Sequence, residues 1–373
     1  MVSITATEPT LCSVQASRVP AVPEDPSCNG PPAPTLLSDH IFCGLDGDRS
    51  ARRLIVRSVL LTVLLLAVTA TATGSVDTPA RPQVLSSLML DVTQAGPDLV
   101  AVGDRGYVLR SDDGGRSWWE SHVGDDVLLT AVDFPSAQVG YAVGHASSVF
   151  KSENGGRTWR RLYHDNTVGP LLDVLFFDAS VGFAVGAYGQ LLQTTDGGHA
   201  WQDRSDLGVN PDELHLHAIA QLDSDTVMVV GEGGLILRSS NRGQSWQRVA
   251  SPYIGSLFGI VALTDELLIY GLRGHLYSSA DQGESWTERA TGTTQTFFSS
   301  GMTGAGRPLL LGAEGLILQP EPPCAGRLHI EQGVTLTGLV LTGENHMVLT
   351  SDRGVVFVPF GQLRSFLVCR QGK

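Results

Sequence analysis

Lysine is almost missing from this chain of 373 residues: it occurs only at Lys151 and Lys373. With 25 basic against 38 acidic residues the net charge is −13. Such a surface repels phosphate backbones and anionic lipid, which excludes nucleic acid as a partner. Aromatic residues make up only 7% and charged residues 17%. Long apolar runs are also missing: the uncharged stretch Val59 to Ala70 (VLLTVLLLAVTA) has 12 residues, whereas a spanning helix needs about 20. There is no helical period of useful length, no Walker loop, no Rossmann glycine pattern, no zinc-ligand run and no Gly-x-Ser-x-Gly elbow. Nucleotide, dinucleotide and structural-zinc chemistry therefore have no sequence support.

What the chain has in excess is glycine, 43 residues. No three-residue period makes it collagenous, and 42% hydrophobic residues are enough to build a core. Only Gly30, Gly44, Gly47 and Gly74 lie in the first 75 residues, so the surplus belongs to the remainder. A chain that reverses many times uses glycine at this rate.

The N-terminal part is of a different kind. Seven prolines fall within the first 34 residues, and Cys12, Cys28 and Cys43 within the first 48. Residues 1–53 read as a disordered extension or as sequence ahead of a later translation start, for example at Val56. Arg49, Arg52, Arg53 and Arg57, then Val59 to Ala70, then Thr71-Ala72-Thr73-Gly74-Ser75 have the order of a secretory signal peptide, assigned to residues 54–75 with cleavage near Ala72. The alternative is an uncleaved segment that keeps the protein at the membrane. Either way the protein is expected to be exported, periplasmic or secreted. Export leaves Cys324 and Cys369 in an oxidising compartment, where they are a candidate disulfide, the alternative being two separate buried thiols.

The rest of the chain repeats. One octapeptide recurs as Ser111 to Trp118 (SDDGGRSW), Ser152 to Trp159 (SENGGRTW), Thr194 to Trp201 (TTDGGHAW), Ser239 to Trp246 (SSNRGQSW) and Ser279 to Trp286 (SADQGESW). Its tryptophans are 41, 42, 45 and 40 residues apart. A second signal, a glycine after an apolar run and then another turn, precedes each octapeptide. It persists twice after the octapeptide has decayed, at residues 311–318 and 349–356, which makes seven units. A period of 40 to 45 residues with four short strands per unit predicts an all-β, seven-bladed β-propeller of four-stranded antiparallel blades. The expected blades are about 88–121, 128–162, 170–205, 215–250, 256–290, 296–330 and 335–369 within a domain of residues 85–365, with a tail at 366–373. Either a strand at Ser365 to Cys369 or residues 82–86 would close the seventh blade.

In the hairpin, the third position (Asp113, Asn154, Asp196, Asn241, Asp281) can accept bonds from nearby backbone N–H groups. The fifth (Gly115, Gly156, Gly198, Gly243, Gly283) permits positive φ, and the eighth (Trp118, Trp159, Trp201, Trp246, Trp286) covers the turn with a large apolar face. These residues are expected to specify the fold and not the activity. The octapeptides resemble the Asp-box, or BNR, repeat of sialidases and other propellers. Combined with the glycine turns, the chain resembles the photosystem II assembly and stability factor-like, YCF48-like propeller family over residues 85–365. That resemblance implies a role in assembling a membrane protein complex, and relatives in heterotrophic bacteria look associated with export pumps of the resistance-nodulation-division type.

The expected inner strands contain no arginine, tyrosine or glutamate, so the sialidase constellation is missing. One aligned column reads Asp91, Ala131, Asp173, Ala218, Gly259, Ser299, Gly338. Asp91, Asp173 and His217 are therefore the candidate channel-facing residues, with Asp133 a further inner-strand carboxylate. Two carboxylates at glycosidase spacing would be the alternative function, a sialidase-like glycoside hydrolase. His215 and His217 with Asp173 would be the only metal candidate, and they lack the usual cysteine and glutamate ligands. The expectation is a monomeric, non-catalytic propeller without cofactor or metal that binds a protein of a membrane or envelope complex.

Overall fold

A computed structural model describes residues 77–320, 326–330, 333–343 and 346–359. The signal segment, Cys324, Cys369 and the strand expected at 365–369 lie outside the described residues. Seven antiparallel sheets follow one another in the chain, six in simple meander order and the first with one strand added at its outer edge. They are the seven blades, and strand and turn make up nearly all of the described chain.

The second strand of most blades is an unbroken apolar run, such as Gly140–Gly144, Val227–Gly231 and Leu267–Gly271, and every residue in these is buried. A strand covered by a neighbouring blade on both faces has no polar side to show. The fourth strands, such as Gln202–Asp203 and Thr287–Glu288, are short and exposed, as edge strands are. Seven apolar clusters lie between successive blades, and the last joins Val348 of blade 7 to Val92, Leu99 and Trp118 of blade 1. The core is thus a ring of seven layers. Each octapeptide tryptophan packs in the layer towards the preceding blade: Trp246 of blade 4 stands edge-on to Phe183 of blade 3 at 5.9 Å. The two layers without such a tryptophan, between blades 5 and 6 and between blades 6 and 7, are those where the octapeptide has decayed.

The hairpins fold on their own side chains. In blade 2 the Ser152 hydroxyl donates to Asn154 Oδ1 (3.1 Å) and accepts from the Gly156 N–H (2.9 Å), while Asn154 Oδ1 also accepts from the Thr158 N–H (2.9 Å). Blades 1, 3, 4 and 5 repeat these contacts. Gly115 has φ +90° and lies against Val348 of blade 7, so a side chain there would be strained and crowded. The glycine that ends the second strand has a different cause. Gly144 is extended, and a Cβ there would strike the Leu128 carbonyl, so close approach and not turn geometry selects it.

Two details of closure depart from the sequence reading. Residues Pro82–Leu85 form one helical turn and not a strand. A Cβ on Gly354 of blade 7 would meet the Leu85 carbonyl, so this helical turn packs against the last blade at the turn between its second and third strands. The extra N-terminal strand, Thr78–Pro79, adds a fifth strand to blade 1 instead, and among the described residues blade 7 has three strands.

Candidate functional site

Strand direction gives the ring two unlike faces. The octapeptide hairpins and the turns between strands one and two form the lower face. The turns between strands two and three, together with the connections from each fourth strand to the next blade, form the upper face.

Every first strand carries a bulge near its upper end, between Met89 and Asp91 in blade 1 and at the matching place in the other six. A bulge re-aims side chains, and here it turns two columns toward the axis. They line a cavity of about 240 Å³ that includes Asp91, Asp173, His217, Phe258, Tyr270 and Phe298.

These polar groups tie blade to blade. Asp91 accepts from its neighbour's N–H at Val92 (2.8 Å) and from the Val132 N–H of blade 2 (2.9 Å), one bond on each oxygen. Asp173 does the same with Val174 (2.8 Å) and with Ile219 of blade 4 (2.9 Å). Asp133 accepts from Phe176 of blade 3 (2.8 Å). From the adjacent column Thr130 donates to the Leu171 carbonyl (2.8 Å), His217 Nδ1–H to Leu257 (2.9 Å), and Thr337 to Met89 across the closing seam (2.7 Å). Burial in the axis pushes the carboxyls up, to about 6 for Asp91 and Asp133 and about 7 for Asp173, against the backbone N–H bonds that hold them down. Burial likewise pushes His217 down, so it stands neutral, its Nδ1–H spent on the carbonyl. Gly259 leaves room for the Tyr270 ring, whose hydroxyl burial pushes up, and Gly338 for the Thr350 hydroxyl, so these two positions are small because neighbours fill their space.

His215 Nδ1 accepts from the Tyr188 N–H (2.8 Å), so both histidines of the pair have backbone partners. No group of three or more histidine, cysteine, aspartate or glutamate residues fit to hold a metal occurs among the described residues.

Sequence reasoning missed the upper face itself. Six large apolar side chains are exposed among the described residues; four of them, Val168, Tyr188, Leu207 and Ile254, stand in the loops and turns of this face, and a fifth, Phe298, lies at the upper end of an inner strand. Ile254 is 92% exposed and Tyr188 63%. Tyr188 sits at the tip of its turn in left-handed backbone (φ 56°). Rings run inward from it, Tyr188 to His215 (5.0 Å), to His217 (6.4 Å), to Phe258 (4.9 Å) and to Phe298 (5.5 Å), which ends in the axial cavity. Beside Tyr188 opens a second cavity of about 510 Å³, bordered by Val168, Asp203 and Glu213.

The family described as photosynthesis system II assembly factor YCF48 matches residues 165–317, blades 3 to 6. Among solved structures, one titled "YCF48 bound to D1 peptide" is 16% identical with a TM-score of 0.61, covering 76% of this chain and 95% of its own. YCF48 from Cyanidioschyzon merolae is 15% identical with the same TM-score, covering 76% and 99%. The WD40 propeller domain of Doa1 is 10% identical at 0.56, covering 76% and 97%, a likeness of fold. No curated protein sequence matches the chain.

Proposed function

We propose that this β-propeller, which is similar to the YCF48 family over residues 165–317, is an exported, non-catalytic scaffold whose upper face docks a protein of a membrane or envelope complex. The observation that carries this reading is the gathering of exposed apolar side chains on one face, where lone exposed residues would scatter over both. A YCF48 structure in the same fold has a peptide bound, which supports a polypeptide as the ligand class. The basic, apolar, small-residue order of residues 49–75 supports export. Absence of catalysis is supported at the axis by the structural use of its carboxylates, since Asp91 and Asp173 each tie their own blade to the backbone of the next, and by the lack of arginine, tyrosine and glutamate on the expected inner strands.

Leu207 and Ile254 are exposed, so glutamate at both leaves the core intact. Tagged full-length chain with Leu207→Glu and Ile254→Glu should lose co-purifying envelope protein, whereas Gln138→Glu on the lower face should keep it. Equal capture by both variants, with equal thermal stability, contradicts the docking face.

A further inference from the structure

Resting on that reading, we infer that the docked partner presents an extended segment in which a lysine or arginine is followed by aromatic or aliphatic side chains. The basic residue enters the cavity beside Tyr188, and the apolar ones follow the ring track to the axis.

The chemistry of the cavity selects a cation. Its lining carries two carboxylates, Asp203 and Glu213, and no arginine or lysine. Both carboxylates are exposed. Around it, the connections at 164–170 and 204–215 add Asp165, Asp206 and Asp212 against Arg204, whose guanidinium is turned to the Gln244 carbonyl. The arginines at the tips of this face, Arg105, Arg273 and Arg353, stand on blades 1, 5 and 7, away from this sector. The exposed Tyr188 ring offers a face for a cation to cover. Its turn holds it at positive φ with its N–H fixed by His215, so the ring is presented and not free to fold back.

The chemistry of the track selects apolar groups. His217 is neutral and its Nδ1–H is occupied, so the surface from His217 to Phe258 and Phe298 is aromatic and uncharged. It leads from the rim to a cavity of about 240 Å³ at the axis. Beyond the rings the lining turns polar, with Asp91, Thr130, Asp173, Ser299 and Ser300, so the apolar groups of the segment rest on Phe258 and Phe298 at the edge of the cavity. An extended segment reaches about 3.3 Å per residue, so a short one follows the track, whose successive rings are 4.9 to 6.4 Å apart.

The test is selection of random peptides displayed on phage against the immobilised full-length chain, then titration of the best synthetic peptide. Enriched peptides should carry lysine or arginine ahead of aromatic or aliphatic residues. Tyr188→Ala, Glu213→Gln and Phe298→Ser should each weaken binding by about tenfold. Added salt should weaken it too, and Gln138→Glu should have no effect. Enrichment of acidic or uncharged peptides, or titrations indifferent to the three substitutions, overturns the inference. So does self-association of the chain that Tyr188→Ala abolishes, since the occupant is then a second copy. If these peptides fail while the Leu207 and Ile254 double variant still loses its partner, only the segment chemistry is wrong. If both fail, the docking face is wrong as well.

Discussion

Ser152 shows how little of the octapeptide is spare. Its buried hydroxyl donates to Asn154 and accepts from Gly156, so it joins the third and fifth positions of the hairpin. The third, fifth and eighth positions are legible in the sequence because each has one distinctive side chain. The hydroxyl at the first position is not, because serine and threonine are common and their role depends on which way they point. Ser152→Ala leaves the buried Gly156 N–H unpaired and should cost about 1–3 kcal/mol, read as a lower urea midpoint at constant slope. A loss within error of zero contradicts that role. The acidic members of the third position are held down by such bonds, Asp281 to about 2 by Ser285 and Ser279. They are charged capping groups with no capacity for acid–base work near neutral pH.

At the scale of the element, the first strand is where structure and sequence reading part. The column Asp91, Ala131, Asp173, Ala218, Gly259, Ser299, Gly338 is legible as small and occasionally acidic. That its acids bind the next blade's backbone is not, because it needs the bulge, which shifts register by one residue and leaves no mark in the pattern. The consequence is measurable. The folded carboxyls of Asp91, Asp133 and Asp173 lie near 6, 6 and 7, above the unfolded value of about 3.9. The folded chain therefore holds extra protons across that window. Their contribution to stability is full below about pH 4 and is lost as pH rises through 6 to 7. Thermal midpoints should rise as pH is lowered from 8 to about 5, and Asp173→Asn should flatten that rise. A wild-type midpoint that climbs with pH over this window, or an unchanged slope in the variant, would count against axial burial of these groups.

For the whole molecule, the number of blades follows from counting both repeat signals, five octapeptides and two later glycine turns, and closure follows because each unit must bury both faces of its central strand and only a closed ring gives every unit two neighbours. The closing seam was less legible: the helical turn at Pro82–Leu85 and the bond from Thr337 to Met89 join parts of the chain about 250 residues apart. The exposed apolar side chains of the upper face were not legible at all. Val168, Tyr188, Leu207 and Ile254 stand in four separate loops or turns, each unremarkable in sequence, and only the shared direction of the seven blades gathers them. Repetition marks what holds the ring together, and the irregular connections between repeats carry the surface that differs from blade to blade.

The claim that this surface is where a partner binds is tested most directly by a photo-crosslinking residue placed in the full-length chain in its native compartment, at Ile254 on the upper face and, separately, at Gln138 on the lower. The account predicts a discrete protein adduct from position 254 and none from position 138. Adducts from 138 alone, or identical adducts from both, would contradict it.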